Sequence, residues 1–463
     1  MKQGVAVSPI GTLRKTALAL SLAAISITGI PANAQNFTDI KPSPQQIEWQ
    51  NLEFGAIIHF GPNSFGDREW GDGTASPKSF NPTQADPEQW MRALKAAGVT
   101  YVVFVAKHHD GFCLWPTEQT DYSVKSSPWM DGKGDMVKLV SNAAHKYGLK
   151  FGVYLSPWDR HEPRYKDAVA YDKYYLAEME ELVQNYGPIT EFWLDGAGSA
   201  GHVYNFEGIV QDLRVYQPNA IVFADTNLFE FGDARWVGNE AGKVTQENWN
   251  VVDRRGYLRW RPAEADTPLR DLHWFWHPND EKSVKSLDEL MTTYDLTVGR
   301  GAQLMLGLAP DSRGLLPDSD AARLKEFGDE VRKRYAKNLV VSHTPESPET
   351  AAALDNDPDT FWSAPAGSHH STLQVSFPKP VTFDRAVTME WLNNGQKIQK
   401  YAIEAWVDGK WKRIFSGEAI GHKKIDGFAP VTASKARLNI LSSTSEAEIR
   451  EFQLYSTGVP AAH

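Results

Sequence analysis

Short apolar runs alternate with amphipathic stretches between residues 52 and 335, which predicts alternating β-strands and α-helices. Six of the runs predict buried strands, at 54–60, 101–106, 150–156, 190–194, 220–224 and 303–308. Short strands that alternate with helices over ~250 residues or more are typical of a (β/α)8-like barrel, which we place at residues 35–340. The stretch 227–277 is too irregular for all eight strands to be placed.

The helices carry recognisable start signals. Asp86 precedes a proline at the first turn of one helix, and Gln89 can complete a capping box with it. A later helix is predicted at 171–186, with Glu178 among the acidic residues on its outer face. These signals support the barrel, because each helix falls between two predicted strands.

The pattern changes at residue 341. Residues 341–463 show short alternating runs separated by turns such as Asn394-Gly395 and Asp408-Gly409. This pattern predicts an all-β sandwich, and the domain resembles discoidin-type and carbohydrate-binding modules. The acidic stretch 355–362 could supply oxygen ligands to calcium, but we favour a simple turn.

The N-terminus resembles a secretory signal peptide. Arg14 and Lys15 precede an apolar run at 16–30, and Ala32-Asn33-Ala34 forms an A-x-A cleavage pattern. The run is shorter than the ~20 apolar residues of a membrane span. We therefore expect residues 1–34 to be removed after Ala34 and the protein to be secreted or periplasmic, without a membrane anchor.

Composition narrows the function classes. The 463 residues carry a formal net charge of −10 and no basic cluster, which argues against nucleic-acid binding. The single cysteine, Cys113, cannot form an intramolecular disulfide, so the core has to stabilise the exported protein. Sixteen tryptophans suit both a core and the stacking of sugars, and they do not decide between these uses.

Polar side chains follow four consecutive predicted strands at the point where each strand ends. They are His59, then His108-His109, then Asp159, then Asp195. In a barrel these positions surround the active site. Four polar strand ends in succession are hard to explain by structure alone.

Two chemistries can use these residues. Histidines with Asp195 could bind zinc or iron, but His59 lacks the second histidine two residues later that amidohydrolase-type barrels usually have. Glycoside hydrolysis needs one carboxylate as nucleophile and one carboxylic acid as proton donor. Tryptophan-rich loops favour this second reading, so we expect neither a metal nor another cofactor.

The strand-end motifs resemble glycoside hydrolase family 29, the α-L-fucosidases, from about residue 45 to residue 328. The motifs are the stretch 54–70, Ala106-Lys-His-His-Asp-Gly-Phe112, Gly152-Val-Tyr-Leu-Ser-Pro-Trp-Asp159 and Phe192-Trp-Leu-Asp-Gly-Ala197. The family retains anomeric configuration, and the resemblance implies that Asp195 is the nucleophile. It also implies that fucosylated oligosaccharides or glycoconjugates are the substrates, whereas the oligomeric state is not indicated.

The stretch Arg235-Trp-Val-Gly-Asn-Glu240 resembles the subfamily that prefers branched α-1,3/1,4 linkages, in which such a glutamate is the acid/base. The resemblance therefore implies this role for Glu240, with Glu264 and Glu69 as rivals. Asp195 and Glu240 are expected ~5–5.5 Å apart in a retaining enzyme. The alternatives are a fucosidase of broad or α-1,2 preference and a fucose-binding barrel without catalysis.

The resemblance also implies a set of residues that contact fucose. They are His59, Glu69, Trp70, His108, His109, Tyr154 and Trp193. Imidazoles can donate to and accept from ring hydroxyls, and an indole face suits the C–H side of the sugar.

Overall fold

The computed structural model describes residues 37–224, 232–254, 257–340, 344–345 and 348–459. The predicted signal peptide lies outside these ranges. Ten strands precede residue 340: β1 Phe54–Ile58, β2 Tyr101–Lys107, β3 Lys150–Leu155, β4 Glu191–Leu194, β5 Ile221–Ala224, β6 Ala234–Trp236, β7 Val251–Arg254, β8 Tyr257–Trp260, β9 Ala263–Pro268 and β10 Gln303–Leu308.

Eight of these strands close into a parallel barrel in the order β1-β2-β3-β4-β5-β6-β9-β10, and β10 pairs with β1. The hairpin β7–β8 lies outside the barrel wall, between β6 and β9. The closed parallel barrel confirms the first part of the predicted fold class.

Eight α-helices accompany the strands in the described part of this region: α1 Pro44–Gln50, α2 Pro62–Gly66, α3 Pro87–Ala97, α4 Met136–Lys146, α5 Ala168–Asn185, α6 Phe206–Tyr216, α7 Leu287–Thr297 and α8 Asp318–Arg334. Asp86 caps α3 as predicted, by accepting from the Gln89 backbone N–H. The Gln89 side chain does not complete the box, because it bonds the backbone of Leu316 through both its oxygen and its nitrogen.

The prediction for Glu178 is wrong. This side chain of α5 is fully buried and lies 2.5 Å from the ammonium of Lys107, which also lies 3.0 Å from Asp159. Lys107 is the last residue of β2, so an acidic residue that helical spacing alone assigns to solvent instead pairs with a cation in the core. A buried charge requires such a partner.

Alternate residues of the barrel strands point inward and form a core of their own. Apolar members include Val103, Tyr154 and Phe223, and Trp49 of α1 joins them. Glu191 of β4 and Glu264 of β9 are fully buried as well. The barrel interior is therefore packed rather than hollow, and it contains carboxyl groups.

The second domain is antiparallel and contains the short helix α9 Pro348–Ala351. Its strands are β11 Thr344–Pro345, β12 Trp362–Ser363, β13 Ser371–Glu390, β14 Ile398–Val407, β15 Lys410–Glu418, β16 Lys424–Ser443 and β17 Glu448–Tyr455. They pair in the order β12-β17-β13-β16-β14-β15, with β11 on β13. Bulges interrupt the long β13–β16 ladder and let it bend around a shared apolar core. The predicted all-β domain is thereby confirmed.

The two domains contact each other through polar groups that are buried or partly buried. His422 of the second domain lies 3.0 Å from the carboxylate of Glu53, the residue before β1, and Lys423 pairs with the same carboxylate. Gln396 accepts from the backbone N–H of Asn250 at 2.9 Å. Among helices in the described residues, none is both long and apolar enough to cross a membrane.

Candidate active site

A cavity lies at the carboxyl ends of the barrel strands. Its volume is about 160 Å³, below the roughly 300–1,000 Å³ of sites that hold drug-sized ligands. It is lined by Ile57, His59, Trp70, His108, His109, Tyr154, Trp193, Asp195, Ala197, Trp236, Glu240, Asp266 and Trp274. The structure thus brings together every predicted site residue except Glu69, around a space that suits a single sugar ring.

Asp195 directly follows β4 and is held from two sides. The Tyr154 hydroxyl donates to Oδ2 at 2.8 Å, and the Ala197 backbone N–H donates to Oδ1 at 2.7 Å. His109 Nε2 lies 3.6 Å from Oδ2. These contacts fix the orientation of the carboxylate, while 17% of the side chain stays exposed.

Three histidines follow the first two strands: His59 after β1, and His108 with His109 after β2. Burial, together with the nearby His109, lowers the pKa of His59 to about 3. Burial also lowers the pKa of His108. For His109 burial lowers the pKa too, and it outweighs the Asp195 carboxylate, which raises it. The rings are therefore neutral at pH 7, and each offers one N–H donor and one acceptor nitrogen.

The hydrogen bonds around His109 identify its tautomer. The Ser156 hydroxyl donates to the Trp158 carbonyl at 2.7 Å, so its oxygen accepts from His109 Nδ1 at 2.8 Å. Nδ1 then carries the ring proton, and Nε2 beside Asp195 is the acceptor. A ligand hydroxyl in the cavity can donate to this nitrogen.

Trp193 forms the inner wall of the cavity. Its ring stacks on Phe223 with 4.2 Å between centroids, and its Nε1 donates to Glu264 at 2.8 Å. The Tyr101 hydroxyl donates to the other Glu264 oxygen at 3.2 Å. Burial raises the pKa of Glu264 to about 7. Glu264, one of the rival acid/base residues, lies deeper in the barrel and does not line the cavity.

Glu240 lies on an exposed turn beyond β6, at the rim of the cavity. Gly238 in this turn has a φ of +90°, a conformation that favours glycine. The Asn239 side chain accepts from the Ala241 N–H at 3.1 Å and closes the turn. The Trp274 indole donates to Glu240 Oε2 at 3.3 Å. The Glu240 carboxyl therefore faces the cavity from a solvent-accessible position.

Glu69 contacts the loop that contains Trp274 instead of lining the cavity. Its Oε2 accepts from the Trp274 N–H at 2.8 Å, and its Oε1 lies 2.6 Å from His277 Nε2. Burial lowers the pKa of His277, but the hydrogen bonds to Glu69 and Asp67 outweigh burial and raise the pKa above its ordinary value. Glu69 thus positions a loop of the site, and its contact with substrate stays a prediction.

Asp266 and Trp236 line the cavity but were not among the predicted site residues. The Trp236 indole donates to Asp266 Oδ1 at 2.7 Å. Burial raises the pKa of Asp266 well above its ordinary value, and the neighbouring Glu240 raises it further. The sequence feature that could have identified Asp266 is its i, i+2 spacing from Glu264, because residues two apart on a strand lie on the same face, here the inner face of β9.

The cavity combines three carboxyl groups on different elements, those of Asp195, Glu240 and Asp266, with neutral imidazoles and indole faces. Such a set can hold a polyhydroxylated ring and carry out acid/base chemistry on it. Within the described ranges, no group of three or more His, Cys, Asp or Glu side chains is arranged to hold a metal ion.

Family models match both domains. The α-L-fucosidase family matches residues 69–335 and therefore includes most of the barrel. The F5/8 type C domain matches residues 339–452, which lie almost wholly in the second domain.

Individual relatives agree with the family match. α-L-fucosidase 1 of Arabidopsis thaliana is 36% identical over 427 residues, which are 85% of this chain and 83% of the relative. The crystal structure of SpGH29 is 34% identical with a TM-score of 0.84 and covers 90% of this chain and 98% of its own. A Ruminococcus gnavus family 29 fucosidase in complex with fucose is 27% identical with a TM-score of 0.82, over 90% of this chain and 95% of its own. Sequence, barrel and cavity together establish that the chain belongs to glycoside hydrolase family 29, the α-L-fucosidases.

Proposed function

We propose that this enzyme is a retaining exo-hydrolase that releases terminal L-fucose from α-1,3- and α-1,4-linked glycans, with Asp195 as nucleophile and Glu240 as acid/base. The proposal rests on one observation above all. Both carboxyls line the same sugar-sized cavity, one held by two hydrogen bonds and the other exposed at the rim. Of the three candidate acid/base residues, Glu240 alone lines this cavity.

The reaction then takes two steps. Asp195 attacks the anomeric carbon, the glycosidic bond breaks, and the departing oxygen takes its proton from Glu240. In the second step Glu240 removes a proton from water, the water oxygen attacks the same carbon, and the bond to Asp195 breaks. The two inversions give net retention, and both carboxyls return to their starting states.

The remaining predicted residues hold the sugar. The neutral rings of His59, His108 and His109 can each exchange hydrogen bonds with ring hydroxyls. Trp70 is half exposed at the cavity edge and contacts His109 with 5.3 Å between ring centroids. Tyr154 and Trp193 form the inner wall, and Glu69 acts at least through the loop that it positions.

Two substitutions test the roles of the carboxyls. Asp195→Ala should nearly abolish turnover of every fucoside, since no other group can form the covalent intermediate. Glu240→Ala should slow cleavage of natural glycans by roughly 10²–10⁴-fold, because a sugar alcohol departs poorly without a proton. An aryl fucoside with an acidic phenol needs less help, so its intermediate should accumulate, and azide should rescue turnover by attacking that intermediate in place of water and releasing an α-fucosyl azide.

Glu264→Gln is the matched control for Glu240→Ala. It keeps the shape of a buried side chain that does not line the cavity, so it should show neither leaving-group dependence nor azide rescue. If Glu264→Gln or Glu69→Ala shows both effects while Glu240→Ala retains near-normal turnover, the acid/base assignment is wrong.

The linkage preference is proposed from the motif that ends in Glu240. We expect kcat/KM on Lewis-type trisaccharides to exceed that on a 2′-fucosylated trisaccharide by at least roughly tenfold, because a branched substrate brings additional binding energy to the transition state. Equal values, or faster α-1,2 cleavage, would instead identify a fucosidase of broad or α-1,2 preference.

We further propose that the enzyme is exported. The support is the sequence pattern that ends at Ala34. N-terminal sequencing of protein from the periplasm or culture fluid should find Gln35 first. An intact Met1 on exported protein would contradict this proposal.

A further inference from the structure

The segment that carries Trp70 has no regular structure of its own. Residues 67–76, here called the Trp70 loop, follow α2 and form neither a helix nor a strand. Trp70 lines the cavity but is 50% exposed. Its ring lies edge-on to those of His109 and Trp158, with 5.3 Å and 5.6 Å between centroids. A side chain that is buried so little does not fix its own position, so its place depends on how the adjacent backbone is held.

The segment after β3 is anchored firmly enough to hold that backbone. Residues 156–162 are here called the Arg160 loop. Asp159 in this loop is buried, lies 3.0 Å from the ammonium of Lys107, and accepts from two of the backbone N–H groups that follow it at 2.9 Å. The backbone N–H of Arg160 donates to the His109 carbonyl at 2.9 Å. The Arg160 loop is thereby tied both to the core and to the end of β2.

Two side chains of the Arg160 loop bind carbonyls of the Trp70 loop. Arg160 Nη1 donates to the Gly71 carbonyl at 2.8 Å, and its guanidinium lies 5.1 Å from the centre of the Trp158 ring. His161 Nδ1 donates to the Gly73 carbonyl at 2.7 Å. A Cβ on Gly73 would lie 2.7 Å from the carbonyl of Arg160, so the two backbones are in direct contact. The carbonyl bound by Arg160 belongs to the residue directly after the cavity tryptophan.

We propose that Arg160 is a positioning residue for the fucosidase reaction, which binds the Gly71 carbonyl and thereby holds the Trp70 indole against the sugar. The inference rests on the proposed function, in which Trp70 contacts fucose. Arg160 does not line the cavity, so it acts through its neighbour. A guanidinium suits this task, because it can donate in its plane to a carbonyl while its flat face lies on the Trp158 indole.

Two other roles for Arg160 lead to different expectations. Arg160 is exposed, and a substitution at an exposed position changes stability little, so a purely structural role would leave sugar binding unchanged. Its charge is a second route to the site. Burial is the main cause that lowers the pKa of His109, and the positive charge of Arg160 lowers it as well. An effect of this charge would not pass through Trp70, so it would persist when Trp70 is replaced.

A double-mutant cycle separates these roles. The value of kcat/KM on an aryl α-L-fucoside is measured for the wild type, Arg160→Met, Trp70→Ala and the double variant. We expect Arg160→Met to lower kcat/KM roughly tenfold in the wild-type background, because a small displacement of a group that holds the substrate is costly. In the Trp70→Ala background the same substitution should lower kcat/KM less than about twofold. Arg160→Lys keeps a charge and a donor and should recover most of the loss.

Binding of L-fucose provides a readout without turnover. The inhibition constant of L-fucose should rise in Arg160→Met by about the same factor as kcat/KM falls, roughly tenfold, because the indole holds the sugar before and after the reaction. Arg332→Met is the matched control. Arg332 is an exposed arginine of α8 that donates to the Ala96 carbonyl at 2.9 Å and does not line the cavity. This variant should keep the wild-type constants, and urea midpoints check that every variant folds.

The outcomes that contradict the inference differ from those that contradict the proposed function. If Arg160→Met keeps the wild-type kcat/KM and inhibition constant, or if it lowers kcat/KM equally in both backgrounds, Arg160 does not position Trp70. Wild-type kcat/KM in Trp70→Ala would overturn this inference together with the proposed contact of Trp70 with fucose. Normal turnover of natural glycans by Glu240→Ala would overturn the proposed acid/base and would leave the cycle between Arg160 and Trp70 unaffected.

Discussion

His59 should make the folded enzyme sensitive to mild acid. The ring is 5% exposed, and its pKa lies at about 3 in the folded chain, against 6.5 ordinarily. Between pH 6.5 and pH 3 the unfolded chain therefore binds a proton at this position that the folded chain does not bind. Stability consequently falls as the pH falls through this window. At pH 5 the loss from this ring amounts to about 2 kcal/mol.

His59→Gln removes the titrating group and should remove that part of the acid sensitivity. The free energy of unfolding is measured by urea denaturation at pH 7 and pH 5 for both proteins, and the two losses are compared. The wild type should lose about 2 kcal/mol more than the variant. Glu264 and Asp110, whose pKa values burial raises to about 7, act in the opposite direction, but they are present in both proteins and cancel.

Ile57→Val is the matched control. Ile57 lines the same cavity from β1 and has no titrating group. Its replacement should cost about 0.5–1.5 kcal/mol equally at both pH values. If the wild type and His59→Gln lose the same stability between pH 7 and pH 5, His59 is protonated in the folded enzyme, and the reasoning from burial is refuted.

Two further predictions concern the core and the chemistry. Lys107→Met should lower the free energy of unfolding by about 3–5 kcal/mol, because Asp159 and Glu178 would stay buried without their cation. Urea denaturation measures this loss, and a loss below about 1 kcal/mol would contradict the prediction. Dialysis against EDTA should leave aryl fucoside turnover unchanged, since hydrolysis by two carboxyls requires no Lewis acid, whereas a loss that zinc restores would assign the histidines to a metal.

The sequence predicted the barrel strands where they are apolar. The run 303–308 coincides with β10, and 101–106 and 150–156 match β2 and β3 to within one residue at either end. β6 and β9 were missed for physical reasons. β6 has three residues, too few for a period, and β9 carries Glu264, Asp266 and a proline. Its inward face bears carboxyls instead of apolar side chains, so hydropathy gave no strand signal.

Most of the candidate site was predictable for a related reason. Residues just after parallel strands meet at one end of a barrel, so His59, His108 and Asp195 could be grouped without any contact information. The positions of Glu69 and Glu264 were not predictable in this way. The Glu69 carboxylate binds the backbone N–H of Trp274, and the Glu264 carboxyl binds the Trp193 indole. In both cases the bonded group lies between the carboxyl and the cavity. Such partners are distant in sequence, and no local pattern encodes them.

The contact around Glu53 bears on how this enzyme can be shortened. Burial raises the pKa of Glu53, but Lys423 and His422 outweigh this effect and lower the pKa to about 2. Glu53, the residue before β1, therefore depends on the second domain for its charged partners. Gly299, just after α7, leaves no room for a Cβ beside Ile425 of the same domain. A truncation at residue 340 would strip these groups from the barrel and expose the surface that they cover. The change of architecture near that residue is therefore a poor place to divide the protein for expression or domain exchange.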